Sequence, residues 1–239
     1  MIIQGVTITG TSVYDASLVT GNNQLLYLDA GNTNSYPGTG TTWYDISGKN
    51  AVQGGTQNAV YNSANGGYFN MTDPCWFWYQ PGTFNTTYTG KTVFMSAKLA
   101  SSMSNGQYRC MFGSNGGNRN FNLYFYYNGS SYQLHYSAGP NGSFAGGISS
   151  NMTYTAGNWA TFGVTHTTGG LVTYYYNGKP LSTNTGQTFY QYLSTSSENV
   201  GASDNYWNGP IGVVGIYGSA LSADQMLQEH NAVRARYGL

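Results

Sequence analysis

One change of period near the end of the chain constrains its fold more than any other feature. The run Asn208-Gly209-Pro210-Ile211-Gly212-Val213-Val214-Gly215-Ile216-Tyr217 reads as a strand and passes through Gly218-Ser219-Ala220-Leu221 into a different pattern. Ser222-Ala223-Asp224-Gln225 has the form of a capping box, serine at the N-cap and glutamine three residues on. Met226, Leu227, His230, Val233 and Tyr237 then recur at helical spacing. Gln228 and Glu229 fall on the other side, and Arg234 and Arg236 sit at the end of the helix dipole that favours cations. His230 on the apolar face reads as a packed, hydrogen-bonded core histidine rather than a ligand. This helix should pack on the strands that precede it and close them.

Those strands recur through the rest of the chain. Leu25–Asp29 is a compact apolar run, followed by Thr92–Leu99, Tyr108–Gly113, Asn122–Tyr127, Tyr132–Tyr136, Trp159–His166, Leu171–Tyr176 and Pro210–Tyr217. Clusters of Gly, Asn and Ser bound them, the spacing expected of a β-sandwich. Asn128-Gly129 and Asn177-Gly178 mark two hairpins, because Asn-Gly takes the positive φ angles of a type I′ turn. The fold expected is all-β, a jelly-roll sandwich of two antiparallel sheets with one C-terminal helix. Residues 1–24 read as a β-like arm or attachment segment, and 25–239 as one domain.

With 239 residues, 40% of them hydrophobic, the chain can bury a core. Only 7% are charged, and eight basic residues balance eight acidic ones. That balance argues against nucleic acid, which needs a positive footprint, and against a polybasic membrane contact. Surfaces rich in uncharged polar and aromatic groups suit neutral glycans, or subunits held permanently in an assembly. The first residues form no secretory signal, and no window reaches the length of a membrane span. Synthesis in the cytoplasm is therefore expected. Cys75 and Cys110 lack a framework spacing and read as buried thiols.

Catalytic constellations are sparse. Glu198 and Glu229 are the only glutamates, and no strand carries two acids at i and i+2. Asp45, Asp73, Asp204 and Asp224 lie at turns or a helix start, where Asp serves the backbone. Cys75 has no histidine nearby in sequence, while His135 and His166 fall in different strands. No phosphate-binding loop or metal-ligand spacing appears. Aromatic binding material, by contrast, is plentiful. On Asn122–Tyr127, Phe121, Leu123 and Phe125 alternate toward a core, leaving Asn122, Tyr124 and Tyr126 on an outer aromatic–polar face. His135 and Tyr175 extend that face in this reading, and Trp76, Trp78 and Trp207 are further candidates for stacking on a sugar.

Several segments, in order, resemble the laminin-G-like branch of the concanavalin A-like lectin/glucanase superfamily. They are Tyr27-Leu28-Asp29-Ala30-Gly31-Asn32 with Ser35-Tyr36-Pro37-Gly38; Trp43-Tyr44-Asp45-Ile46-Ser47-Gly48-Lys49-Asn50; Asn158-Trp159; Tyr176-Asn177-Gly178-Lys179-Pro180-Leu181; and Val200-Gly201-Ala202 leading to the last strand. With its terminal Arg236-Tyr237-Gly238, this version resembles domains of bacteriophage fibre and decoration proteins. The resemblance implies a non-enzymatic virion surface protein, assembled with other virion subunits or with its own copies, and displaying a lectin-like domain for glycan adhesion. A purely structural decoration subunit and a glycoside hydrolase are the alternatives. The glucanase members carry Glu-x-Asp-x-x-Glu on one strand, a pattern this chain lacks. Relatives often bind calcium near a sandwich edge, which makes Asp45 the candidate ligand; the competing reading is an Asx-turn onto Ser47 and Gly48. Gly212 stands where the family often has an acid.

Overall fold

The computed structural model describes residues 23–48, 59–72, 74–79, 88–114, 119–139, 145–191, 198–201 and 205–239. The expected arm over 1–24 thus lies outside the described residues except at its last two positions, as do Asp73 and Asp204. Two antiparallel sheets and one helix form the rest. The larger sheet contains β1 (Gln24–Asp29), β2 (Val60–Asn62), β3 (Tyr68–Met71), β5 (Gly90–Lys98), β10 (Trp159–Thr167), β11 (Val172–Tyr176), β12 (Lys179–Asn184) and β14 (Gly209–Tyr217). Its order is β12-β11-β10-β5-β14-β3-β2, and β1 also pairs with β14. The first part of β14 pairs with β3 and the remainder with β1. The smaller sheet runs β4 (Phe77–Tyr79), β13 (Glu198–Val200), β6 (Tyr108–Ser114), β7 (Arg119–Tyr127), β8 (Tyr132–Gly139) and β9 (Ala145–Ile148).

The inner faces interlock. Val93, Met95 and Ala97 of β5 and Phe162 and Val164 of β10 share a core with Phe121, Leu123 and Phe125 of β7 and Leu134 of β8. Phe125 meets Phe162 across the sheets with ring centroids 5.0 Å apart. Burying each such side chain stabilises the fold by about 1.5–3 kcal/mol.

Helix α1 (Ala223–Tyr237) covers the outer side of the larger sheet, over Phe94, Trp159, Tyr175 and Val213. Its capping box forms as expected: Ser222 Oγ accepts from the Gln225 amide, and the Ser222 amide donates to Gln225 Oε1. His230 is buried, its Nδ1 2.9 Å from Thr161 Oγ1, in the packing role expected of it. The buried face differs from the sequence expectation at two positions. Leu227 is exposed, whereas Glu229 is buried, accepting hydrogen bonds from Tyr217 Oη at 2.7 Å and Tyr27 Oη at 3.2 Å. Two tyrosine hydroxyls on the sheet surface favour a carboxylate there over an apolar side chain.

Glycines let the helix sit close. A Cβ at Gly163 would overlap the methyl of Met226, and one at Gly212 would overlap the Tyr237 hydroxyl, which donates to Gly67 O at 3.2 Å. At Gly212 the register of β14 against β5 slips, so Ile211 faces the inner core and Val213 the helix. Gly212 is therefore required by packing, independently of any chemistry an acid would have supplied. The two hairpins also diverge. Asn177 and Gly178 have φ of 48° and 71° and form the expected two-residue turn between β11 and β12. The β7–β8 connection is longer, and the Asn128 side chain accepts from the amides of Ser130 and Ser131.

Candidate functional site: the outer face of the smaller sheet

Alternation in β4, β6, β7, β8 and β13 sends every second side chain away from the core. Cross-strand register then sets them in rows. One row carries Trp78 of β4, Asn199 of β13, Gly113 of β6, Asn122 of β7 and Ser137 of β8. The next brings Cys110, Tyr124, His135 and Ile148 together, and a third pairs Tyr108 with Tyr126 and Tyr126 with Gln133. These three rows carry no lysine, arginine, aspartate or glutamate. Their groups are aromatic rings, amides, hydroxyls and one imidazole.

Exposure divides the face into a floor and two flanks. Asn122, Tyr124, Ser137, Cys110 and Asn199 are buried, and Asn122 Nδ2 donates to Tyr124 Oη at 2.9 Å. Among the described residues Ser137 Oγ and Asn199 Nδ2 have no hydrogen-bond partner. One flank holds the half-buried Tyr108, Tyr126 and His135: Tyr108 and Tyr126 stack with centroids 4.4 Å apart, and His135 lies 5.4 Å from Tyr108. The other holds Trp76, Trp78 and Tyr206, all half-buried, with Trp76 and Tyr206 at 5.6 Å. The Cys110 amide donates to Asn205 O, which draws residues 205–207 alongside β6. Trp207 there turns into the core and leaves Tyr206 on the outer side.

The residues singled out from sequence thus separate. Trp76, Trp78, Tyr124, Tyr126 and His135 share this face, with Tyr124 in its floor. Tyr175 is on the other sheet, buried beneath α1, and Trp207 is wholly buried against Phe125. Neither can meet a ligand at this face: Tyr175 is covered by the helix, and Trp207 fills the space between the sheets. Tyr108, Tyr206 and Gln133 join the face without having been singled out. Tyr108 lies two residues before Cys110 on β6, so alternation was the available signal for it, whereas Tyr206 lies outside the strands.

Asp45 does not fit a cation site. Its Oδ1 accepts from the Tyr27 amide at 2.8 Å and the Ser47 amide at 2.9 Å, and its Oδ2 from Ser47 Oγ at 2.7 Å. Three donors surround this carboxylate, whereas a calcium ion needs oxygen acceptors around it. Among the described residues no three His, Cys, Asp or Glu side chains come together as a metal site. Asp29, in the other oxygen-rich loop, is ion-paired with Arg236. Both cysteines are buried thiols outside any disulfide, and burial raises the Cys75 thiol to about 11, far from a reactive thiolate.

Glu229 has a raised pKa and lies under the helix, away from the aromatic face. Desolvation raises its pKa from 4.5 to about 7 against the lowering effect of the two tyrosine hydrogen bonds. The folded state therefore holds this proton more tightly, and stability from Glu229 falls as pH rises from 4.5 to 7. His166, buried between the sheets, is lowered by desolvation from 6.5 to about 4, so its contribution is lost as pH falls through that interval. The two slopes oppose one another between pH 4.5 and 6.5. Glu229→Gln removes the first, and urea unfolding of that variant should show a stability that declines more steeply on acidification than that of the parent chain. The difference between the two proteins should reach about 3 kcal/mol between pH 4.5 and 7.5.

Two antiparallel sheets packed face to face, with an aromatic and polar outer face on the smaller, define a lectin-like jelly-roll sandwich. The family model described as Concanavalin A-like lectin/glucanases superfamily, of laminin G type, matches residues 77–226, more than half of the chain. The chain belongs to that superfamily. No curated protein sequence matches it. Among solved structures, the binding domain of botulinum neurotoxin DC in complex with rat synaptotagmin II is similar at 15% identity and a TM-score of 0.66, over 93% of this chain and 52% of that one. Domain 4 of AbnA, a GH43 extracellular arabinanase from Geobacillus stearothermophilus, in complex with arabinotriose, matches at 15% identity and a TM-score of 0.61, over 86% and 97%. The binding domain of Paraclostridial Mosquitocidal Protein 1 matches at 12% identity and a TM-score of 0.67, over 88% and 52%. The chain thus spans about half the length of the toxin domains, and at these identities the likeness is one of fold.

Proposed function

We propose that the protein is a non-catalytic glycan-binding module displayed on the surface of a bacteriophage particle, and that it works without a bound metal or cofactor. The observation that carries glycan binding is the aromatic–polar face of the smaller sheet. Aromatic rings stack on the C–H faces of sugars, while amides and hydroxyls exchange hydrogen bonds with sugar hydroxyls. The arabinotriose complex of the similar arabinanase domain supports the same reading. Burial of Asp29 and Glu229 beneath the helix, away from this face, supports a role in binding rather than hydrolysis, which would need two carboxylates at a substrate cleft. The virion setting draws support from the resemblance of Asp29–Asn32, Ser35–Gly38 and Arg236–Gly238 to phage fibre and decoration domains. The low charge of the chain also suits a subunit held among other virion subunits.

The test is affinity gel electrophoresis in arabinan, xylan, mixed-linkage glucan and mannan. The parent chain should be retarded by at least one of these, and Tyr126→Ala or Tyr108→Ala should migrate as if the polysaccharide were absent. Each variant should unfold within about 1 kcal/mol of the parent, because both rings are half-exposed. Migration unaffected by every neutral polysaccharide would return the protein to the structural decoration reading, in which these tyrosines meet neighbouring subunits.

A further inference from the structure

The two margins of the sandwich are finished differently. Strands β12 and β9 end the two sheets on one side, and their edges are protected. Asn184 Nδ2 donates to Ile148 O at 3.4 Å, Tyr174 Oη donates to Gly147 O, and Lys179 and Pro180 stand on β12. Lysine and proline on an edge oppose the addition of another strand. On the other side the larger sheet ends at β2, and among the described residues no strand pairs with its outer edge. That strand reads Val60-Tyr61-Asn62, with neither safeguard. Tyr61 faces inward, its ring 4.7 Å from Tyr36 and 5.6 Å from Phe69, yet it is only half-buried at the rim of the core. Val60 is 64% exposed, and Tyr44, whose amide donates to Ser35 O beside Tyr36, is 47% exposed, the highest values among the described large hydrophobic residues.

The sequence holds a segment fitted to that edge. Residues 1–14 carry no charge and no proline, and Val6-Thr7-Ile8-Thr9 alternates apolar and hydroxyl side chains, all β-branched. We infer that residues 6–9 of a second copy of the chain add to the outer edge of β2 as a further strand. Ile8 then lies beside Tyr61 and extends the rim of the core, while Thr7 and Thr9 lie beside Val60 and Asn62. The route favours a second copy over the same one. The Gly218 amide donates to Asn23 O, so the chain enters β1 at the Tyr217 end of β14, whereas β3 and β2 join the sheet at Gly209–Ile211. From Tyr217 back to Ile211 is roughly 20 Å along the strand. An arm reaching its own β2 has to turn back along β1, where the Tyr27 carbonyl already accepts from the Ile46 amide. A second copy presents β2 without that reversal. The chain before Asn23 extends to at most about 75 Å, and a net charge of zero sets up no repulsion between copies. The aromatic face of the smaller sheet plays no part, so this inference is independent of the glycan reading.

Sedimentation velocity on the full chain and on two charge variants, Ile8→Lys in the arm and Val60→Lys on the edge, tests this. The parent should sediment as a dimer or larger species, and each variant as a monomer. Mixed in equal amounts, the two variants should form dimers again, because the intact arm of one fits the intact edge of the other. Thermal unfolding of each variant within a few degrees of the parent shows that the fold is kept, as expected for a side chain as exposed as Val60. A monomeric parent, including one whose arm lies on its own β2, overturns the inference. So do oligomers that survive both substitutions, which place the contact between copies elsewhere, and variants that stay monomeric when mixed.

Discussion

Arg236→Ala is expected to lower folding stability by about 3–5 kcal/mol, the range for removing one partner of a buried ion pair. Arg236 Nη1 donates to Asp29 Oδ1 at 2.7 Å, and the two side chains are 1% and 5% exposed. The aliphatic stem passes where a Cβ at Gly66 would stand, and the guanidinium lies 4.9 Å from the Tyr237 ring. One side chain thus ties the last turn of the helix to the end of β1 and to the turn at Ala64–Gly66. Without it, Asp29 keeps only the Gly31 amide among its described donors, at 2.8 Å, and remains a desolvated carboxylate. Urea unfolding measures the loss. Arg236→Met retains much of the stem and separates packing from charge, and the double variant Asp29→Asn, Arg236→Met should recover part of the stability because no lone charge stays buried. A cost below about 1 kcal/mol for Arg236→Ala would place the pair among ordinary surface salt bridges.

The same residue shows why part of the molecule is legible in sequence and part is not. Local rules are written in local residues. Ser222 and Gln225 spell the helix start, Asn177-Gly178 the two-residue turn, and alternation in β7 which side chains enter the core. Arg236 also follows a local rule, a cation at a helix C-terminus, yet its partner Asp29 lies 207 residues away. Glu229 is similar, since only the folded sheet brings Tyr27 and Tyr217 beneath it. The strands that escaped the sequence reading are short or poor in apolar residues, as β2, β4 and β13 with three residues each and the Gly-rich β9 show. Such strands are fixed by pairing with a neighbour rather than by their own pattern. The aromatic face was partly visible for the same reason: Tyr124, Tyr126 and His135 sit on regular strands. Tyr206 is brought alongside β6 by a backbone hydrogen bond from Cys110 that sequence spacing does not reveal.

Trp207 and Trp78 look alike in sequence, each a tryptophan in an aromatic–polar segment, and the fold gives them opposite roles that mutation should separate. Trp207 is wholly buried, its ring centroid 5.8 Å from that of Phe125, and its amide donates to Gly201 O at 2.8 Å. Trp207→Ala should cost about 3–5 kcal/mol, through lost burial and the cavity left between the sheets. For a domain of this size that corresponds to a fall in melting temperature of about 10 °C. Trp78, half-buried on an edge strand, should lose little stability as alanine, because neighbouring side chains and water can close over the site. Its loss should instead appear in polysaccharide retention. Differential scanning calorimetry and affinity electrophoresis on both variants make the contrast quantitative. Should Trp207→Ala melt with the parent chain yet lose retention, Trp207 would belong to the binding face and the core assignment between the sheets would fail. Should Trp78→Ala unfold early, its ring would be holding β4 onto β13, and its place in glycan binding would have to be given to Trp76 and Tyr206.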